Sequence, residues 1–245
     1  MGRHADVEEA LEALAAARAE LACMHAFKGF NMTAEEALML LKNQSDNTLT
    51  KEDKDKRDRL VAAVDNLIEF SVCEEYQLYN QLPAEIDLNN PEEMADYYDL
   101  CEQYNHTYAA VENSDIEFAM GVALGWIHYT EKTILTYMTQ GDHRVRPWHA
   151  ALEGFSATPG DFPAWMIPPI EWGCRCYLVN SDGIAVHNAT KSPDIPKQID
   201  GVFSESVAKC GRIFGKSHSY FKVKKSDKDM LKGMVERIKV KYGLC

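Results

Sequence analysis

Cys174 and Cys176 stand one residue apart, with His149 and Asp142 upstream in the same stretch, "TQGDHRVRPWHAALEGFSATPGDFPAWMIPPIEWGCRCYLV" (139–179). These residue types admit two chemistries. Cys174 or Cys176 as nucleophile, His149 as base and Asp142 as its orienting acid are the components of a thiol triad, and chain order sets no limit on such a site. Nothing in the sequence marks an oxyanion hole or a helix N-terminus beside the cysteines. Alternatively, His149, Cys174, Cys176 and His218 supply a tetrahedral nitrogen–sulfur set for zinc. Structural zinc pairs favour two to four intervening residues, and a one-residue gap in a strand sends the two side chains to opposite faces. One cysteine is then expected to be buried as a small apolar group and the other partly exposed.

A third reading accounts for more residues at once. Pro168-Pro169 fixes an extended entry into a Cys-Arg-Cys strand. The guanidinium forks of Arg144 and Arg146, close to Asp142, pin neighbouring carbonyls or carboxylates, and Arg175 does the same from the facing strand. His149 bridges backbone groups through its two ring nitrogens. Trp148, Trp165 and Trp172 form a core under the loops. On this reading the segment is a self-bracing scaffold, neither an enzyme nor dependent on a cofactor. No phosphate-binding glycine loop and no recognisable two-glutamate arrangement competes with it.

The elements that must position these residues change character along the chain. Val7, Leu11, Leu14, Leu21 and Met24 recur at helical spacing, one apolar stripe on a helix that Gly29 ends. Thr33 and Glu36 form a capping box ahead of Leu38 and Leu41. A polar loop leads into a third helix through Leu60, Val64, Leu67 and Ile68. Asn90 as cap and Pro91 at the first helical position start another, carrying Met94, Tyr97, Cys101, Tyr104 and Tyr108. "IEFAMGVALGWIHYTEKTILTYMT" continues as helix and becomes a strand near "TILTYMT". From there Pro147, Pro159, Pro163, Pro168 and Pro169 forbid long helices. "CRCYLV" reads as a strand, Asn180 to Gly201 as turn-rich, and "KVKKSDKDMLKGMVERIKVKYG" alternates first, then becomes helical through Met230, Met234 and Ile238. The expected fold is α+β: a helical region over 1–132, a compact loop-rich α+β domain with a small β-sheet over 133–222, and a basic helix or tail over 223–245.

The chain has 245 residues, 46% hydrophobic and 26% charged, the composition of an ordinary globular protein. No run approaches the ~20 apolar residues of a membrane span, and "MGRHADVEEALEALAAARAEL" lacks the apolar centre of a secretory signal. Seven scattered cysteines form no disulfide framework and fit a reducing cytosol. The net charge of −12 is uneven: Lys209 to Cys245 holds eleven Lys/Arg against three Asp/Glu, a local +8 that leaves −20 elsewhere. The acidic bulk argues against general nucleic-acid binding. The basic tail, with Lys222, Lys224, Lys225, Lys228, Lys232, Arg237, Lys239 and Lys241, is either a contact for DNA or an acidic partner, or a solvated helix face.

The ordered run Gly141-Asp142, Arg144-Val145-Arg146-Pro147, His149, Ala151-Leu152 and Gly154 resembles the opening motif of the phage Mu F-like head morphogenesis family, which includes minor head proteins of tailed phages. The pattern continues with Asp161, Pro163 and Trp165. It closes with Pro168, Pro169, Trp172, Cys174, Arg175 and Cys176. Phe203, Gly211, Phe214, His218, Tyr220 and Phe221 are similar to the segment that follows the domain in some members. The resemblance spans about residues 100–222, with Glu153 where an aspartate is usual. It implies a virion structural protein that acts by binding the portal protein or other capsid components, oligomeric in the virion and found in the host cytoplasm during assembly. No catalytic residues carry over. Some members end in toxin domains, whereas the residues after Cys176 here resemble the ordinary tail.

Overall fold

The computed structural model describes residues 2–43, 45, 47–83, 85–87, 89–181 and 201–244. The turn-rich stretch expected between Asn180 and Gly201 lies, over 182–200, outside the described residues. The fold is α+β, a helical N-terminal region followed by a small three-stranded sheet.

Helix α1 (Gly2–Gly29) ends where the sequence said it would, but it buries a different face. Val7, Leu14, Leu21 and Met24 are exposed, the middle two by 57% and 59%. The buried side is Leu11, Ala15, Ala19, Ala22, Cys23, Ala26 and Phe27. The helical period holds, and of the expected stripe only Leu11 lies on the buried face. Alanines let α1 lie close against α3 (Lys51–Gln81) and α5 (Ala109–Ile127), where leucines would hold the axes apart. Closest of all is Gly29, where a Cβ would stand 2.2 Å from the Glu117 carbonyl oxygen of α5.

Two capping boxes start the next helices: Thr33 with Glu36 for α2 (Ala34–Lys42) and Thr50 with Asp53 for α3. Helix α3 is the hub. It packs on α1, α2, α5 and α7 (Lys228–Tyr242), and its second half is buried almost all round, with Leu67, Ile68, Phe70 and Val72 at 2% exposure or less. Burial of such side chains stabilises by roughly 1.5–3 kcal/mol each. Helix α4 (Pro91–Glu102) takes its cap from Asn90, buries no residue, and runs through a π-helical turn, Gln103–Tyr108, into α5.

The sheet is antiparallel with order β2-β1-β3: β1 (Leu135–Met138) in the centre, β2 (Ser156–Ala157) and β3 (Tyr177–Asn180) at its sides. Leu135 faces Ala157 on one side and Asn180 on the other, and Met138 faces Tyr177. A single four-residue turn of helix, α6 (Pro147–Ala150), sits between β1 and β2. The core is continuous from Leu11 to Tyr242, so the sheet and the C-terminal turns share it with the helices.

Two local expectations change. The strand begins after Cys176, so Cys174, Arg175 and Cys176 lie in irregular chain. The start of the basic tail is a 3-10 turn, Lys225–Asp227, and not an alternating strand. No described helix is long and apolar enough to cross a membrane.

Candidate functional site

Helix α6 starts at Pro147, whose ring sets the helical φ at the position where a backbone N–H would have no partner. That turn lifts His149 into the interior at 2% exposure. On the facing chain, Glu171 and Trp172 lead into Gly173, whose φ of +64° lies where an L side chain is strained, and then into Cys174. Both Gly173–Asp115 hydrogen bonds (3.1 and 2.9 Å from the backbone N–H to the carboxylate) tie this turn to α5. Because residues 174–176 are not strand, alternation does not apply. Both sulfurs turn inward, Cys174 at 4% and Cys176 at 3% exposure.

His149 is the meeting point. Its Nδ1 lies 3.4 Å from Cys176 Sγ and 3.9 Å from Cys174 Sγ. Its Nε2 lies 3.1 Å from Glu171 Oε2. The same carboxylate oxygen pairs with Arg146 Nε at 3.0 Å and accepts the Trp148 indole N–H at 3.2 Å. Arg146 also donates to the Trp172 carbonyl at 2.8 Å. His149 therefore bridges side chains, and not the backbone groups expected of it. At the rim, Arg175 donates two bonds to Asp142, of 2.9 and 2.8 Å, and holds its carboxyl down at about 2. Asp142 accepts the Arg144 backbone N–H as well.

The two thiols are unequal. Cys174 donates towards Cys176, which lowers Cys176 to about 7 and, together with burial, raises Cys174. Tyr137 of β1 is fully buried with Cys176 and Cys174 as electrostatic neighbours, and its hydroxyl has no well-formed hydrogen bond.

Several anticipated residues fall elsewhere. Asp142 pairs with Arg175 and not with His149; the acid on the histidine is Glu171. The Arg144 side chain is exposed and outside the network. His218 accepts the Tyr220 N–H, packs on Phe70 and Trp172, and is not part of the His149 cluster. Trp165 is buried, while Trp148 and Trp172 are half-buried: Trp148 packs edge-on to His149, and Trp172 stacks on Phe214 with ring centres 5.2 Å apart. Gly154 turns the chain into β2 at φ +85°, and the Pro168–Pro169 peptide is cis. Glu171, Asp115 and Tyr137 were not anticipated. An acid three residues before Cys174 was the one available signal.

Glu171, His149 and Cys176 stand in the order of an acid–base–thiol relay. The cleft beside them, lined by Gln140, Arg144, Arg146, His149, Arg175 and Cys176, holds about 20 Å³, room for roughly one water.

The basic tail is divided. Arg237 meets Glu12 at 2.5 Å, Lys241 meets Glu20 at 2.6 Å, and Lys239 meets Asp65 at 2.5 Å, so these three cations face acids of α1 and α3. Lys224 donates to Asn80. Lys222, Lys225, Lys228 and Lys232 are exposed and pair with no described acid.

No family model, curated protein or solved structure matches the chain.

Proposed function

We propose that the chain is a minor head protein of a phage or prophage, of the Mu F-like type, working by binding and not by turnover. What supports the reading is the role of the motif residues. Arg146, His149, Trp172, Arg175 and Asp142 hold α6 and the loops to each other, and the cleft they leave admits about one water. A rigid module of this kind suits docking on a portal or a procapsid interior. The exposed Leu14, Leu21 and Met24 of α1 suit the accompanying helical contact, with the portal or another copy. Contact with DNA falls to Lys222, Lys224, Lys225, Lys228 and Lys232, because Arg237, Lys239 and Lys241 are already matched within the chain.

The test is co-expression with the portal and capsid proteins of the genome that encodes it. The chain is expected to co-sediment with portal or procapsid, and L14E/L21E, at exposed positions, to release it while leaving its melting curve unchanged. A chain absent from both fractions overturns the reading.

A thiol hydrolase or effector is the second reading, favoured by the Glu171–His149–Cys176 relay. It needs Cys176 to reach a substrate, which 3% exposure does not provide. Cys176→Ser in a folded chain distinguishes them: head association persists under the first reading, and an effector activity disappears under the second.

A further inference from the structure

His149, Cys174 and Cys176 each offer one donor atom, and the three atoms lie within 4.8 Å of one another among buried side chains. We propose that these three residues form a zinc site, two thiolates and one imidazole, that fastens α6 to the chain entering β3. The proposal is independent of the head-assembly reading.

Distance is the first argument. With Zn–S of about 2.3 Å and Zn–N of about 2.0–2.1 Å, tetrahedral angles place nitrogen and sulfur about 3.6 Å apart. The two observed separations from His149 Nδ1, 3.4 and 3.9 Å, bracket that value. One ring nitrogen makes one good hydrogen bond, so thiol–imidazole bonding explains one of these approaches. An ion among the three atoms would use both.

The second argument is orientation. Glu171 can only accept at Nε2 while paired with Arg146, so Nε2 carries the proton and Nδ1 presents a lone pair to the sulfurs. A carboxylate behind a histidine in this way is the usual outer support of a metal-bound imidazole. Asp115 fixes the Gly173 turn that points both cysteines inward. The irregular chain at 174–176 removes the objection from one-residue spacing, which assumed a strand.

The third is charge and leftover polarity. Zinc displaces one proton from each thiol to solvent, with no change of oxidation state, and two thiolates then balance the divalent ion. The buried site becomes neutral. Three protein donors leave a fourth position, which the one-water cleft beside His149 and Cys176 can fill. The buried Tyr137 hydroxyl lies against Cys176, where a thiolate would give it an acceptor. The cleft has no space for anything larger, so a metal here would hold α6 to the chain entering β3 and admit no substrate.

The experiment uses the full chain purified under reductant without chelator. Elemental analysis is expected to give one zinc per chain. Metal-free protein titrated with cobalt(II) alone should develop the sulfur-to-cobalt charge-transfer and visible bands of a tetrahedral thiolate site, and added zinc should abolish them. Cys174→Ser and Cys176→Ser should each lose most of the charge-transfer intensity, while Cys210→Ser, at an exposed cysteine, keeps it. Should the two cluster variants fail to fold, the wild-type titration decides alone. Zinc far below one per chain, with a cobalt spectrum identical to that of the free ion, overturns the proposal.

Discussion

Glu171 and His149 are joined at 3.1 Å, and the same carboxylate oxygen receives Arg146 and the Trp148 indole. One acid thus gathers three donors from α6 and its approach, and through His149 it sets which ring nitrogen faces the cysteines.

Glu171→Ala removes that acceptor at once. His149 is buried and the indole is partly so, which leaves donors that water can replace only in part. A loss of about 2–3 kcal/mol is expected in urea unfolding. A loss under about 0.5 kcal/mol would mean that the network does not brace the loop.

Arg144→Ala should do little. Its side chain is exposed, and its tie to Asp142 runs through the backbone N–H, which alanine keeps. The expected change is below about 0.5 kcal/mol by the same unfolding measurement. A change near 2 kcal/mol would place its guanidinium inside the fold.

Helix α1 depends on contact of its backbone with α5. A methyl group at Gly29 would overlap the Glu117 carbonyl, which is backbone and cannot swing aside. Gly29→Ala is expected to destabilise by about 2–4 kcal/mol. The exposed Leu21→Ala should be near neutral. Reversal of that order in thermal melts would contradict the assignment of the buried face.

A separate acid cluster sets a pH dependence. Burial pushes Glu112 up to about 7, with the Tyr220 hydroxyl and Arg18 opposing and Asp115 adding to the rise. Glu74 beside it is raised as well, while Arg18 bonds Glu74 and Glu75 at 2.8 and 2.9 Å. The folded state therefore holds a proton on Glu112 that the unfolded chain releases near its ordinary 4.5. Stability from this group is fully present below that value and falls as pH rises to about 7. Glu112→Gln should raise stability at pH 8 by on the order of 1–3 kcal/mol and flatten the profile between these limits. A variant with an unchanged pH profile would show that Glu112 does not carry the dependence.

Helix ends were legible because their signals are local: Thr33 with Glu36, Asn90 with Pro91, and Gly29 each act within one turn. The buried face of α1 was not, because it depends on what packs opposite. Close neighbours select Ala15, Ala19 and Ala22 over the larger Leu14 and Leu21. The site divided the same way. The crowding of Arg, His, Trp and Cys in 142–176 was visible, and so was the use of arginine forks on carboxylates. His149, Cys174 and Cys176 were named together in the sequence, but strand spacing set the two sulfurs on opposite faces; they converge because Gly173 is left-handed and the chain is irregular where a strand was expected. The roles of Glu171 and Tyr137 were not legible for a simpler reason: their partners lie 22 residues away or more, across the fold, and proximity to Cys174 was the one local sign of Glu171.

The central claim is that 142–176 braces itself and keeps its thiols from reacting. Brief alkylation of the native chain under reductant, read peptide by peptide in a mass spectrometer, tests it most directly. Cys210 is exposed and should be modified quickly, while Cys174 and Cys176 should stay protected until denaturant is added. Rapid modification of Cys176 in a chain that keeps its native melting curve would show an accessible, activated thiol, and the scaffold account would fail.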